Sequence, residues 1–319
     1  MGHRGFCSNS PQLLQVSPFL SLRLVCQIAP VRRFVFTPIG GFSPHIGSKC
    51  PESLHPFPIF LFEWWAHILL HPIKRKTVMK IDLKSVCAFG DSVMKGIVVD
   101  KENSPAGGVK YKISDMGFAA RCRRNLGIEV ENFARFGGVV SQGMKFVSRY
   151  ADRVRRSDYV LFEYGGNDCD YNWAEIAKNP CEEHASNTPI DVFVECYSAL
   201  IDFVKSLGAN PILLSLPVLE PNRFFAHVSK GLNGDNILRW LGGTVLTIDR
   251  WHERYNMEIF RLGAMKRVPV IDITSVFLER KNYADYICED GIHPNDAGHE
   301  LIEGAIMDYL NMQIKRGVV

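Results

Sequence analysis

From residue 80 onward the chain alternates between short apolar runs and stretches in which apolar residues recur every three or four positions. The first run, Val86 to Phe89, breaks off at Gly90-Asp91-Ser92. In 114–127, Ser114 is placed as a helix cap and Gly127 as a stop, with Phe118, Cys122 and Leu126 stacked at four-residue spacing, which predicts an amphipathic helix. A second short strand follows in 128–134, then a helical stretch over 141–156 with Met144, Val147 and Val154 on one side. Tyr159 to Tyr164 reads as a third strand ending in a double glycine. Thr188 and Pro189 open a long helix with Val192, Cys196, Leu200 and Phe203 as its apolar face, closed by Gly208. A fourth strand is expected in 211–221, a polar and aromatic loop in 222–236, a helix in 245–267 and a fifth strand in 268–273. A closing helix over 295–314 begins at Asn295 or Asp296. Strands alternating with helices predict a parallel sheet with crossover helices. The expected fold is a three-layer α/β/α sandwich with a five-stranded, mainly parallel, flavodoxin-like sheet, whose functional groups gather at the carboxyl ends of the strands.

The first 78 residues do not share this pattern. They hold nine of the 17 prolines and eight basic residues against two acidic ones, Glu52 and Glu63, so the net positive charge of the chain resides there. Their most apolar piece, "FPIFLFEWWAHILLHPI", is interrupted by Glu63 and His67 and bracketed by Pro58 and Pro72, a poor pattern for a membrane span. A disordered or partner-binding extension and a weak membrane anchor are two readings of residues 1–78. The favoured expectation is an upstream stretch translated from a mis-set start codon, with residues 79–319 forming one domain that opens at Met79. With no clean secretory signal, a cytoplasmic protein without stable membrane insertion is expected.

Composition narrows the classes further. At 46% apolar and 22% charged residues, the chain has ample material for a core. After Met79 the balance is slightly acidic, which argues against nucleic acid as a partner. Cys87, Cys122, Cys169, Cys181, Cys196 and Cys288 lack the paired spacing of a zinc site and the density of a disulfide scaffold. No metal and no cofactor are expected.

The candidate chemistry lies where strands stop. Asp91 and Ser92 after a strand commonly cap the next helix, so Ser92 becomes a candidate nucleophile only if a base and an oxyanion site exist elsewhere. Asp290 precedes His293 by three residues, a spacing that lets one turn hold a carboxylate against an imidazole and leave its other nitrogen for a serine hydroxyl. Asn167 offers a side-chain amide after the third strand, beside Gly165 and Gly166. Gly137 or Gly138 and the amide of Ser92 are further candidate donors to a developing oxyanion. Glycine-rich anion loops of the nucleotide-binding kind are absent, as is the G-x-S-x-G elbow of the larger α/β-hydrolases.

Together these stretches resemble the SGNH hydrolases, the GDSL esterase/lipase family. "AFGDSVMKG" is similar to the family's first block, "VENFARFGG" to its second, "YGGNDCD" to its third and "DGIHPNDAGHELI" to its fifth. The resemblance implies Ser92 as nucleophile, His293 as base, Asp290 as its orienter, and an oxyanion hole made of Ser92, Gly137 and Asn167, with Gly138 the less favoured glycine. Val93 stands where the family's name has leucine. The implied activity is hydrolysis of a small-molecule, carbohydrate or lipid ester through an acyl-serine; transfer of the acyl group to an alcohol is the alternative, and a non-catalytic binding relative a weaker one. Asp91 and Asp168 are read as turn and site-shaping groups. Tyr171 and Trp173 are read equally as pocket wall and as core, and His299, within the closing helix, as structural or exposed. Acyl chain, alcohol and oligomeric state are not legible.

Overall fold

The computed structural model describes residues 83–105 and 108–316, so the expected boundary between residues 78 and 79 lies outside the described residues. The first strand, β1 (Ser85–Gly90), runs into a single helical turn, α1 (Ser92–Lys95). A small antiparallel hairpin follows, β2 (Ile97–Val99) paired with β3 (Tyr111–Ile113). Next come α2 (Phe118–Leu126), β4 (Glu129–Asn132), α3 (Val140–Arg149), α4 (Ala151–Val154) and β5 (Tyr159–Glu163). The second half holds α5 (Trp173–Lys178), α6 (Ile190–Ser206), β6 (Asn210–Leu214), α7 (Pro221–Val228), α8 (Gly234–Trp240) and α9 (Leu246–Lys266). It closes with β7 (Val270–Ile271), α10 (Ser275–Leu278), a 3-10 turn at Tyr283–Tyr286 and α11 (Asp296–Lys315).

The main sheet has five strands in the order β4-β1-β5-β6-β7, every pair parallel. Counting only these strands, the order is 2-1-3-4-5, the flavodoxin-like arrangement, with the strand order reversing between β1 and β5. Because side chains alternate across a strand, Cys87 and Phe89 pack with Val147, Leu200 and Ile259 on one face. Ala88 packs with Phe118, Ile302 and Ile306 on the other. Helices α3, α6 and α9 therefore cover one face, and α2 and α11 the other. A third cluster, built from Trp173, Ile176, Phe224, Ile237 and Leu241, sits among α5, α7 and α8.

Several local expectations are corrected. Ser114 does not cap α2, which starts at Gly117 without a side-chain cap; its hydroxyl accepts from Met116 N at 3.0 Å and donates to Asp296 at 2.5 Å, tying this turn to the start of α11. The stretch 141–156 is two helices, broken at Tyr150. On α6 the buried stripe is Phe193, Tyr197, Leu200, Ile201 and Val204, while Val192 is 38% exposed. The face is turned by one residue, about 100°. The two aromatics decide it, since each buries far more apolar area than the Val192 and Cys196 side chains. The expected loop 222–236 is largely helical: Glu220 accepts from Asn222 N and Arg223 N ahead of Pro221, and Asn233 accepts from Asn236 N, so both α7 and α8 carry caps. The fourth and fifth strands are shorter than expected, and Asn295, accepting from Gly298 N, is the cap of α11. Among the described residues, no helix is long and apolar enough to cross a membrane.

Candidate active site

The turn after β1 is shaped by a glycine that cannot be replaced. A Cβ on Gly90 would sit 2.4 Å from the carbonyl oxygen of Glu163, its partner in β5, and 2.8 Å from Met94 Cβ. Asp91 caps α1, its Oδ1 accepting from Val93 N at 2.8 Å. Ser92 is thereby set on the first residue of a helical turn at the carboxyl edge of the sheet, 6% exposed. No backbone hydrogen bond is made by the Ser92 amide among the described residues.

The loop before α11 brings the imidazole to that serine. Gly291 has φ +79, and a Cβ there would lie 2.3 Å from Phe224 N, so only glycine fits between this loop and the start of α7. Cys288 N donates to His293 O at 2.7 Å and Glu220 N to Gly291 O at 2.7 Å, closing the loop on itself and on α7. Asp290, fully buried, accepts from Ile292 N and His293 N through Oδ1 and pairs with His293 Nδ1 through Oδ2 at 2.6 Å. His293 Nε2 lies 2.8 Å from Ser92 Oγ. Burial works to raise the Asp290 carboxyl, but the hydrogen bond and charge of His293, with the two backbone donors, hold it below the usual carboxylate range. An ionised Asp290 places the imidazole proton on Nδ1, which leaves Nε2 to accept from the Ser92 hydroxyl. The rings of Tyr111, from β3, and Phe136 stand 5.1 and 6.0 Å from that of His293.

Two further segments complete the edge. Parallel pairing continues past β4, with Phe133 N donating to Ala88 O and Arg135 N to Gly90 O, so the turn at 135–138 is drawn alongside the serine. In this turn Gly138 N donates to Arg135 O at 3.0 Å, whereas the Gly137 amide makes no backbone hydrogen bond among the described residues. After β5, Asn167 Nδ2 donates to Asp91 Oδ2 at 3.0 Å, which uses one amide hydrogen and leaves the other free. Asp168 is fully buried and both its oxygens accept from Val140 N, clamping the head of α3; burial pushes its carboxyl up to about 7.

Beneath the serine lies a carboxyl pair that the sequence pattern does not single out. Glu163, at the end of β5, and Asp91 are 1% and 2% exposed and neighbour each other. Burial and the neighbouring Asp91 charge drive the Glu163 carboxyl well above its ordinary range. Glu163 Oε2 accepts from Met94 N at 3.2 Å, while Oε1 has no donor to accept from.

A family model described as GDSL-like lipase/acylhydrolase matches residues 88–301. The chain belongs to that family. Among solved structures, a lipase/acylhydrolase from Enterococcus faecalis is similar over 72% of this chain and 97% of its own, at 18% identity and TM-score 0.48. A chain from Parabacteroides merdae assigned as a GDSL-like lipase covers the same shares at 15% identity and TM-score 0.50. The acetylxylan esterase Axe2 of Geobacillus stearothermophilus matches 72% of this chain and 95% of its own, at 19% identity and TM-score 0.48. No curated protein matches. The family match spans β1 through the first turn of α11 and so takes in every segment that meets at the serine.

Ser215 is fully buried, its Oγ accepting from Ile273 N, Thr274 N and Thr274 Oγ1. His299 is fully buried in α11, against Phe118. Trp173 and Tyr171 are both wall and core: each lines a cavity of about 80 Å³, and Trp173 Nε1 donates to Asp170 Oδ1 at 2.7 Å. His252, on α9, goes unnoticed in the sequence because a histidine inside a helix carries no positional signal. It is 3% exposed and lines the cavity that holds Ser92 and Asn167.

Proposed function

We propose that this GDSL-family chain is a serine esterase that works through an acyl-serine at Ser92. The observation that carries the reading is the unbroken line from Asp290 Oδ2 to His293 Nδ1 at 2.6 Å and from His293 Nε2 to Ser92 Oγ at 2.8 Å. Serine alone is a poor nucleophile at neutral pH, and a neutral imidazole oriented by a buried carboxylate is the base it needs. His293 takes the hydroxyl proton as Ser92 Oγ bonds to the ester carbonyl carbon. The carbonyl oxygen, now an alkoxide, is held by the amides of Ser92 and Gly137 and by the free hydrogen of Asn167 Nδ2. Collapse breaks the bond to the alcohol oxygen, which leaves with the proton from His293. Water then repeats the sequence, its proton passing to His293 and back to Ser92, and the acid is released.

A fluorophosphonate probe tests this directly, because its reaction needs base and oxyanion donors as well as a hydroxyl. Peptide mapping is expected to find the adduct on Ser92. Ser92→Ala is expected to cut kcat for a chromogenic acetate ester by a factor on the order of 10⁶. An adduct on Ser141 or Ser215 with Ser92 untouched would refute the assignment.

A further inference from the structure

The tetrahedral intermediate has four substituents on its central carbon, and the site leaves a separate place for each. Ser92 Oγ is one. The oxyanion faces Ser92 N, Gly137 N and Asn167 Nδ2. The leaving oxygen must lie at His293 Nε2, where the rings of Tyr111 and Phe136 flank the imidazole and Phe136 is 54% exposed, so the alcohol side opens to solvent. What remains for the acyl group is the small cavity bounded by Ser92, Asn167, His252 and Ile292 and by the buried carboxyls Asp91 and Glu163, whose lining does not include His293.

That cavity measures about 20 Å³. Roughly 10–15 Å³ of such space admits one water-sized group, so there is room for a methyl and not for a four-carbon tail. Directly behind it is the larger cavity of about 80 Å³, walled by Tyr171, Trp173, Phe224, Trp240 and Trp251. Gly166, His252 and Ile292 line both. The partition between a methyl-sized space and a large aromatic one is therefore formed by the His252 imidazole and the Ile292 side chain, since Gly166 contributes only backbone. The imidazole is itself buried, its Nδ1 3.7 Å from Glu253 Oε1 and without a hydrogen-bond partner.

We propose that His252 and Ile292 are the acyl-length gate of this site, restricting it to acetyl and similarly short acyl esters of alcohols that can be bulky. The proposal rests on the esterase reading of Ser92. It deepens that reading by fixing which side of the substrate is size-limited and by which side chains. Removing the imidazole joins the two cavities and lets a longer acyl chain run into the aromatic one.

The experiment uses the full chain and 4-nitrophenyl esters of acetate, butyrate and octanoate. A methylene that does not fit a tight pocket changes discrimination about 10–200-fold, so the wild type is expected to favour acetate over butyrate by at least this factor in kcat/KM and to leave octanoate untouched. In His252→Ala the butyrate-to-acetate ratio is expected to rise at least about tenfold. Ile292→Ala opens the same wall from its other side and is expected to shift the ratio in the same direction, which keeps the test available if His252→Ala does not fold. A purely structural role for His252 would lower the melting temperature and leave the ratio unchanged, and that result overturns the proposal. So does a wild type that cleaves butyrate as fast as acetate. A wild type that cleaves no ester and is not labelled at Ser92 would overturn the esterase reading instead, a failure distinguishable from an active enzyme with a flat chain-length profile.

Discussion

His299 offers a test in which burial alone sets the outcome. It lies fully buried in α11, with its ring 5.9 Å from that of Phe118 and neither nitrogen hydrogen-bonded in ordinary geometry. Burial drives its pKa from 6.5 down to about 4, against the opposing pull of the Ile97 backbone and Asp296 and with a small push from His293 and Arg121. A base with a depressed folded pKa stays neutral in the folded protein while the unfolded chain takes up a proton. Stability is therefore intact above pH 6.5 and is lost progressively as pH falls toward about 4. At pH 5.0 the loss from this one group is about 2 kcal/mol, because each pH unit crossed below the unfolded pKa costs about 1.4 kcal/mol.

Urea unfolding of wild type and His299→Leu at pH 7.5 and pH 5.0 isolates this contribution, because every other titrating group is common to both proteins. The wild type is expected to lose about 2 kcal/mol more than the variant between the two pH values. His299→Leu should also retain ester hydrolysis at pH 7.5, whereas His293→Ala should not. Equal pH responses in the two proteins would show that His299 is not held neutral by burial, and the argument would fail.

Two other predictions concern the oxyanion side. Asn167→Ala is expected to lower kcat by roughly 10²–10³ with KM nearly unchanged, because the donor acts only as charge develops; steady-state kinetics alongside the melting temperature will show it, and a destabilised but fully active variant removes Asn167 from the site. Glu163→Gln, whose amide can donate to Asp91 and still accept from Met94 N, is expected to keep activity, while Glu163→Ala should cost about 1–3 kcal/mol in stability and reduce kcat; equal behaviour of the two variants in urea unfolding would argue against a proton on Glu163.

The layers and strand order of the fold are legible in the sequence because the main-sheet strands other than β4 are apolar runs and a helical period separates each strand from the next. Boundaries and faces are less so. The hairpin β2–β3 has three residues per strand, too few for a period to register, and β3 exposes Lys112 and Ile113. The helices α7 and α8 do carry start signals, Glu220-Pro221 and Asn233, but their aromatic and polar content obscures them. The site residues stand out where they follow strand ends, since glycine, serine and asparagine at a sheet edge break the apolar pattern. His252 and Glu163 do not. One sits in mid-helix, the other is the last residue of an apolar strand, and only tertiary packing brings either to the serine.

Asp91 is where the demands on this edge conflict. Its carboxylate orients Asn167 Nδ2 and caps α1, so it fixes two of the donors proposed for the oxyanion. A negative charge so near a developing alkoxide would also oppose the reaction, since like charges in a water-poor site repel strongly. A proton shared with Glu163, whose carboxyl is driven up by burial and by the Asp91 charge, would ease the conflict. It would spread the Asp91 charge over a second carboxyl, while the Val93 amide donates to Oδ1 and the Asn167 amide to Oδ2. The pair would then hold one negative charge, engaged by two amides before substrate arrives. The close approach of Glu163 O to Gly90, permitted by the absence of a Cβ there, is thus a packing constraint on which the proposed site depends.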